Sequence, residues 1–117
     1  MTTTTLYGIP NCDTVKKARK WLDANGIEYT FHDFRKDGID EAMIRNWMKT
    51  QSWEILLNKR GTTWRKLPDD VKDRVDETNA ASLMAEHPTL IKRPVTVSGK
   101  KTAVGFKEQD YQAFFSK

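Results

Sequence analysis

TTLYGIPNCDTVKKARKWLDANGIEYTFHDF, residues 4–34, holds a complete folding unit. Its first five residues form a short β-prone run that stops at Gly8 and Pro10, as strands do. From about residue 13 the apolar positions Val15, Ala18 and Leu22 recur at intervals of three and four, and Asn25 with Gly26 supplies the stop. That spacing predicts an amphipathic helix. In IEYTFHDF, Ile27, Tyr29 and Phe31 alternate with polar residues, which is the period of a half-buried strand. Strand, helix and strand within about 30 residues make a βαβ unit, so the two strands should run parallel.

Beyond this unit the pattern changes. Residues 40–87 carry only helical spacings: Met43, Ile44, Trp47 and Met48; Trp53, Leu56 and Leu57; Val71 and Val75; then Ala80, Leu83 and Met84. Asp69 and Asn79 are the expected N-caps, and Pro88 closes the last helix. Strands return in PVTVSGKKTAVGF, where Val95 with Val97 and Val104 with Phe106 alternate around a turn at residues 98–101, the pattern of a hairpin. A last helix from about Lys107 groups Tyr111, Phe114 and Phe115 on one side. The order is βαβ, a helical insert, then ββα. It gives an α/β chain read as one domain over 1–117, with a core of about 1–36 and 89–117 and an inserted helical subdomain of about 37–88.

Composition narrows the function classes. At 38% hydrophobic and 31% charged the chain is globular, and it has no long apolar span, so no membrane association is expected. The beginning, MTTTTLYGIP, lacks a basic and then apolar leader, and one cysteine cannot close an internal disulfide, which points to a reducing cytoplasm. Twenty Lys and Arg against 16 Asp and Glu give a net charge of +4, but the basic residues are scattered among acids. That balance favours anionic small molecules or acidic partners, and direct nucleic-acid binding is not expected.

The single cysteine, Cys12, falls between the first strand and the first helical turn, among the turn and cap formers Pro10, Asn11, Asp13 and Thr14. A free cysteine is usually a small core residue. Here the neighbours predict an exposed loop instead, and the amides and dipole at a helix start stabilise an anion. In such places a thiol's pKa drops from roughly 8.5 to about 3.5–7.5, and the thiolate is the nucleophile. Lys16 would assist ionisation and Asp13 would oppose it. Other chemistries lack their residues: His32 and His87 stand far apart without a cysteine cluster, so no metal is expected, and no phosphate-binding glycine loop occurs. Tryptophan and methionine at helical spacing read as core. Arg93 precedes Pro94 at the entrance to the third strand, in HPTLIKRPVTV.

Taken together, PNC at the first strand–helix turn, LIKRPV before the hairpin, and a helical insert between them resemble the arsenate reductase and Spx (ArsC) family of thioredoxin-like proteins. The resemblance runs from about residue 4 to 115. GIPNCDTVKKA, LLNKRGTTWRKL and LIKRPV in that order are most similar to the YffB-type branch, proposed to be glutathione-dependent thiol reductases. The resemblance implies a thioredoxin-like, four-stranded mixed sheet, a cis Arg93–Pro94 bond, Cys12 as catalytic nucleophile, and a substrate site formed by Asn11, Asn58, Arg60, Arg93, Pro94 and Lys107. It implies no tightly bound cofactor, with glutathione as cosubstrate and glutaredoxin as a further partner.

Two alternatives come from the same resemblance. Glutaredoxin-coupled arsenate reductases surround their cysteine with three arginines, of which only Arg93 is matched here. Asn58 follows Leu56–Leu57, and Lys107 follows the hairpin. Lysine cannot copy the bidentate fork of arginine on a tetrahedral oxyanion. Spx-type regulators, which bind the RNA polymerase α subunit, often carry a second cysteine three residues after the first, where Val15 stands here. An internal disulfide switch is therefore excluded, and any catalytic disulfide needs an external thiol such as glutathione.

Overall fold

The computed structural model describes residues 3–115. Strand β1 (Thr4–Gly8), helix α1 (Asp13–Ala24) and strand β2 (Thr30–Asp33) form the expected βαβ unit, with β1 and β2 parallel and Thr5 opposite Thr30. Six helical segments follow: α2 (Glu41–Trp47), α3 (Trp53–Leu56), α4 (Thr62–Lys66), α5 (Asp69–Arg74), α6 (Ala80–Glu86) and a 3-10 turn at Pro88–Leu90. The hairpin of β3 (Val95–Ser98) and β4 (Lys101–Val104) and helix α7 (Glu108–Phe114) complete the order. The sheet is β2-β1-β3-β4, mixed as expected, because β3 runs antiparallel to both β1 and β4.

The chain divides into two compact units: one runs up to Gly38 and resumes at Arg93, and the other is Ile39–Lys92. In the sheet unit, the apolar stripe of α1 (Val15, Ala18, Leu22) is fully buried with Leu6 and Tyr111. Trp21, Tyr29, Phe31, Phe106 and Phe115 pack around that centre. Tyr111 contributes a polar tie as well as area. Its hydroxyl and that of Thr96 are hydrogen-bonded at 2.6 Å inside the core, and burial pushes the phenol up to about 12. At the end of β1, Gly8 allows the strand to meet the helix, since a Cβ there would lie 2.7 Å from Val15 Cγ2. This close approach sets where the strand–helix turn begins.

In the helical unit, the buried residues include Ile44, Trp47, Leu56, Ala80, Ala81, Met84 and Leu90. Asp40 caps α2 by accepting from the Met43 amide at 2.9 Å, and Ser52 caps α3 by accepting from Glu54. Ahead of α6, Asp76 accepts from the Thr78 and Asn79 amides and the Thr78 hydroxyl, while Asn79 Oδ1 accepts from the Asp76 amide. The three bonds to the carboxylate, that from the Thr78 hydroxyl foremost, hold the Asp76 carboxyl below its ordinary range.

The structure corrects several details. β2 is shorter than IEYTFHDF, because its ladder with β1 begins at Thr30; Ile27 and Tyr29 still pack on the core without strand pairing. Asn79 is the N-cap of α6, but Asp69 is the first residue of α5 behind Pro68. Helix α4 escapes the apolar-spacing argument because it buries no residue fully. Trp47 is core at 1% exposure, whereas Trp53 and Trp64 are only half-buried.

Candidate active site

Of the four segments that leave the sheet at one end, three carry candidate residues, and they meet there for reasons of register. Gly8 ends β1, Tyr7 lies opposite Val95 at the start of β3, and Val95 lies opposite Val104 at the end of β4. The turn carrying Asn11 and Cys12, the Arg93–Pro94 peptide and the stretch from Gly105 to Lys107 therefore emerge together. The Arg93–Pro94 bond is cis, and the Pro94 carbonyl accepts from the Gly105 amide at 2.8 Å, tying the last two segments to each other.

Cys12 is the N-cap residue of α1, with φ −95° and ψ 125°. Its carbonyl accepts from the Lys16 amide at 2.9 Å and its amide donates to the Ile9 carbonyl at 3.4 Å, so the backbone anchors the residue on both sides. The side chain makes no capping hydrogen bond. Cys12 is half-buried against the core cluster, while Asn11 and Asp13 on either side are exposed. First-turn amides have no partner within their own helix, and over the twelve residues of α1 they carry the positive end of its dipole, which favours a negative charge there.

Arg93 contributes the feature that sequence reasoning missed. It is half-buried, and among the described residues its Nε is buried without a hydrogen-bond partner. Buried donors are nearly always paired, and an unpaired one costs about 1–3 kcal/mol, so the group is suited to an incoming acceptor. No local pattern in LIKRPV encodes this. Lys107 is exposed and precedes α7 as its N-cap residue. Tyr7, near the end of β1, is pushed up by burial and stays protonated at neutral pH.

Asn58 and Arg60 belong to the helical unit. The Asn58 amide donates to the Leu90 carbonyl at 2.7 Å, and Asn58 Oδ1 accepts from the Arg60 amide at 3.1 Å. Arg60 is exposed. Its neighbour Lys59 is engaged instead, with Nζ 5.7 Å from the Trp53 ring and 5.5 Å from the Trp64 ring. Nothing in the spacing of Trp53, Lys59 and Trp64 along the chain marks this contact. The histidines have other partners: His32 Nε2 bonds the Gly38 carbonyl at 2.6 Å and its ring lies 4.8 Å from that of Tyr7, while His87 Nε2 sits 4.0 Å from the Glu86 carboxylate. Among the described residues no three His, Cys, Asp or Glu side chains gather into a metal-binding group, and no helix is long and apolar enough to cross a membrane.

Comparison with known proteins bears on this geometry. Residues 7–114 match the family model described as "ArsC family". A solved structure named YffB is 48% identical, covers 95% of this chain and 97% of its own, and superposes with a TM-score of 0.91. A solution structure of an arsenate reductase (ArsC) related protein from Brucella melitensis is 50% identical, over 98% of this chain and 96% of that one, at a TM-score of 0.76. The global transcriptional regulator Spx of Streptococcus pyogenes is 28% identical over 97% of this chain and 85% of its own length.

Proposed function

Because this chain belongs to the ArsC family, we propose that it is a glutathione-dependent thiol reductase whose nucleophile is Cys12. The observation that carries the proposal is the buried Nε of Arg93, without a hydrogen-bond partner among the described residues, at the sheet end from which Cys12 and Lys107 also emerge. In the reaction, the Cys12 thiolate attacks one sulfur of a substrate disulfide. A Cys12–sulfur bond forms, the substrate S–S bond breaks, and the departing sulfur leaves as a thiolate that takes up a proton. Glutathione thiolate then attacks Cys12 Sγ and releases the second substrate thiol. A second glutathione regenerates Cys12 and departs as glutathione disulfide. The chain supplies no resolving cysteine, so both electrons come from glutathione.

Arg93 and Lys107 are assigned to the glutathione carboxylates, which are spread along a peptide and can be held by separate charges. Asn11 and Pro94 are assigned to the same substrate, whereas Asn58 and Arg60 enter through motif resemblance alone. A reducing cytoplasm fits the need for the thiol. Arsenate is the weaker substrate on this reading, because Arg93 has no arginine companions at the family's other two positions. Incubation with glutathione disulfide followed by intact-protein mass spectrometry tests the proposal: one glutathione adduct is expected on the wild type and none on Cys12→Ser. Arg93→Ala should weaken glutathione binding by roughly ten- to a hundredfold, the loss of one hydrogen bond to a charged group. Efficient arsenate reduction with glutaredoxin, without any glutathione adduct, would reverse the ranking. Complex formation with the RNA polymerase α subunit by an unreactive Cys12 would favour the regulator instead.

A further inference from the structure

Helix α1 carries its charges the wrong way round for its own stability. Acids at the first turn and bases at the last complement a helix dipole. Although Asp13 follows that rule, Lys16 and Lys17 occupy the N-terminal half, Lys20 follows one turn on, and the last turn holds Asp23 and no base. Lys16 and Lys20 are also like charges at i,i+4, an unfavourable pairing that Asp13, four residues before Lys17, and Asp23, three residues after Lys20, offset in part. All three lysines are exposed. Among the described residues none of them forms an ion pair; the pairs present join Arg45 to Glu41, Lys72 to Asp69 and His87 to Glu86. Charges that contradict local stability are expected where function needs them.

Their placement relates them to the cysteine. At a rise of about 1.5 Å per residue, Lys16, Lys17 and Lys20 lie about 6, 8 and 12 Å along the axis from Cys12, comparable with the Debye length of about 8–10 Å near physiological salt. Arg93 and Lys107 add positive charge at the same sheet end, opposed by Asp13, Glu108 and Asp110. Glutathione is assigned above to Cys12, Arg93 and Lys107, and Lys17 and Lys20 have no part in holding it.

We infer that the lysine face of α1 is an electrostatic docking surface for an acidic polypeptide whose disulfide Cys12 reduces. The inference rests on the thiol-reductase reading and names its substrate class. The chemistry is the exchange already written: Cys12 Sγ bonds to one partner sulfur, the other leaves as a thiolate and is protonated, and glutathione restores Cys12.

Three short synthetic peptides test it, each with one cysteine activated as a 2-thiopyridyl disulfide and flanked by Glu, Gln or Lys. Pyridinethione release is followed on the full-length protein by stopped flow. At an ionic strength of about 0.01 M the expected order of rates is Glu, Gln, Lys, with the acidic peptide about tenfold faster than the neutral one. The rates should converge near 1 M salt, where the Debye length is about 3 Å. The pair Lys17→Glu/Lys20→Glu should invert the order, read as the rate of each charged peptide relative to the neutral one, a ratio that cancels any change in the reactivity of Cys12 itself. Lys17→Gln/Lys20→Gln, a milder change should the first variant fold poorly, should remove most of the preference. Equal rates for the three peptides at low salt, or an order unchanged in both variants, would overturn this inference alone. No reaction with any peptide would overturn the reductase reading and this inference with it.

Discussion

Gly8→Ala tests the link between the first strand–helix junction and the stability of the sheet unit. Gly8 does not adopt a positive φ, so alanine meets no backbone strain there and gains about 0.4–1 kcal/mol from a less flexible unfolded chain. Against this, the new Cβ would stand 2.7 Å from Val15 Cγ2 and 3.4 Å from Cγ1, well inside the 3.5–4.0 Å optimum for carbon contacts. Val15 is fully buried and stiff at χ1, so the methyl cannot swing aside. Overpacking of this kind costs about 1–3 kcal/mol, and the full burial of Val15 puts it in the upper half of that range, which leaves a net loss of about 1–2.6 kcal/mol. Urea unfolding followed by tryptophan fluorescence and circular dichroism measures it. Val15→Ala alone should destabilise by about 1–3 kcal/mol through the cavity it leaves. The double variant should cost less than the sum of the two by about 1 kcal/mol or more, because each change makes room for the other. Additivity within about 0.5 kcal/mol, or a Gly8→Ala protein as stable as the wild type, would refute the close-approach argument.

Tyr111→Phe should destabilise by about 1–3 kcal/mol by leaving the buried Thr96 hydroxyl without its partner, measured by the same urea titration. The pH dependence has a definite sign. The folded phenol ionises at about 12 against an ordinary 10, so the unfolded chain releases the proton first. Stability from this group is present below pH 10 and is lost as pH rises toward 12, by roughly 2–3 kcal/mol; the loss should be absent in Tyr111→Phe. Asp76→Ala should lower the melting temperature at neutral pH by removing the turn ahead of α6. Because the folded carboxyl is held low, that difference from wild type should vanish as pH falls through the acid range.

Local order along this chain was legible because periodicity is a property of neighbouring residues. Val15, Ala18 and Leu22 mark one helix face wherever the helix lies, and the two alternating runs around residues 98–101 can only meet as a hairpin. The exposed turn around Cys12 followed from Pro10, Asn11 and Asp13, which shape the backbone within a few bonds. Asn58, Arg60 and Lys107 were singled out by motif resemblance, since nothing in their local spacing distinguishes them from solvated loop residues. What required the tertiary structure involves partners far apart in the chain. The order β2-β1-β3-β4 depends on pairings such as Thr4 with Ser98, a separation of 94 residues, and truncates β2 to the part that β1 can reach. The bond between Thr96 and Tyr111, the two rings around Lys59 and the buried Nε of Arg93, without a hydrogen-bond partner among the described residues, arise the same way. Burial removes water from a group, and only the folded chain decides which donors then find an acceptor and which are left waiting for one.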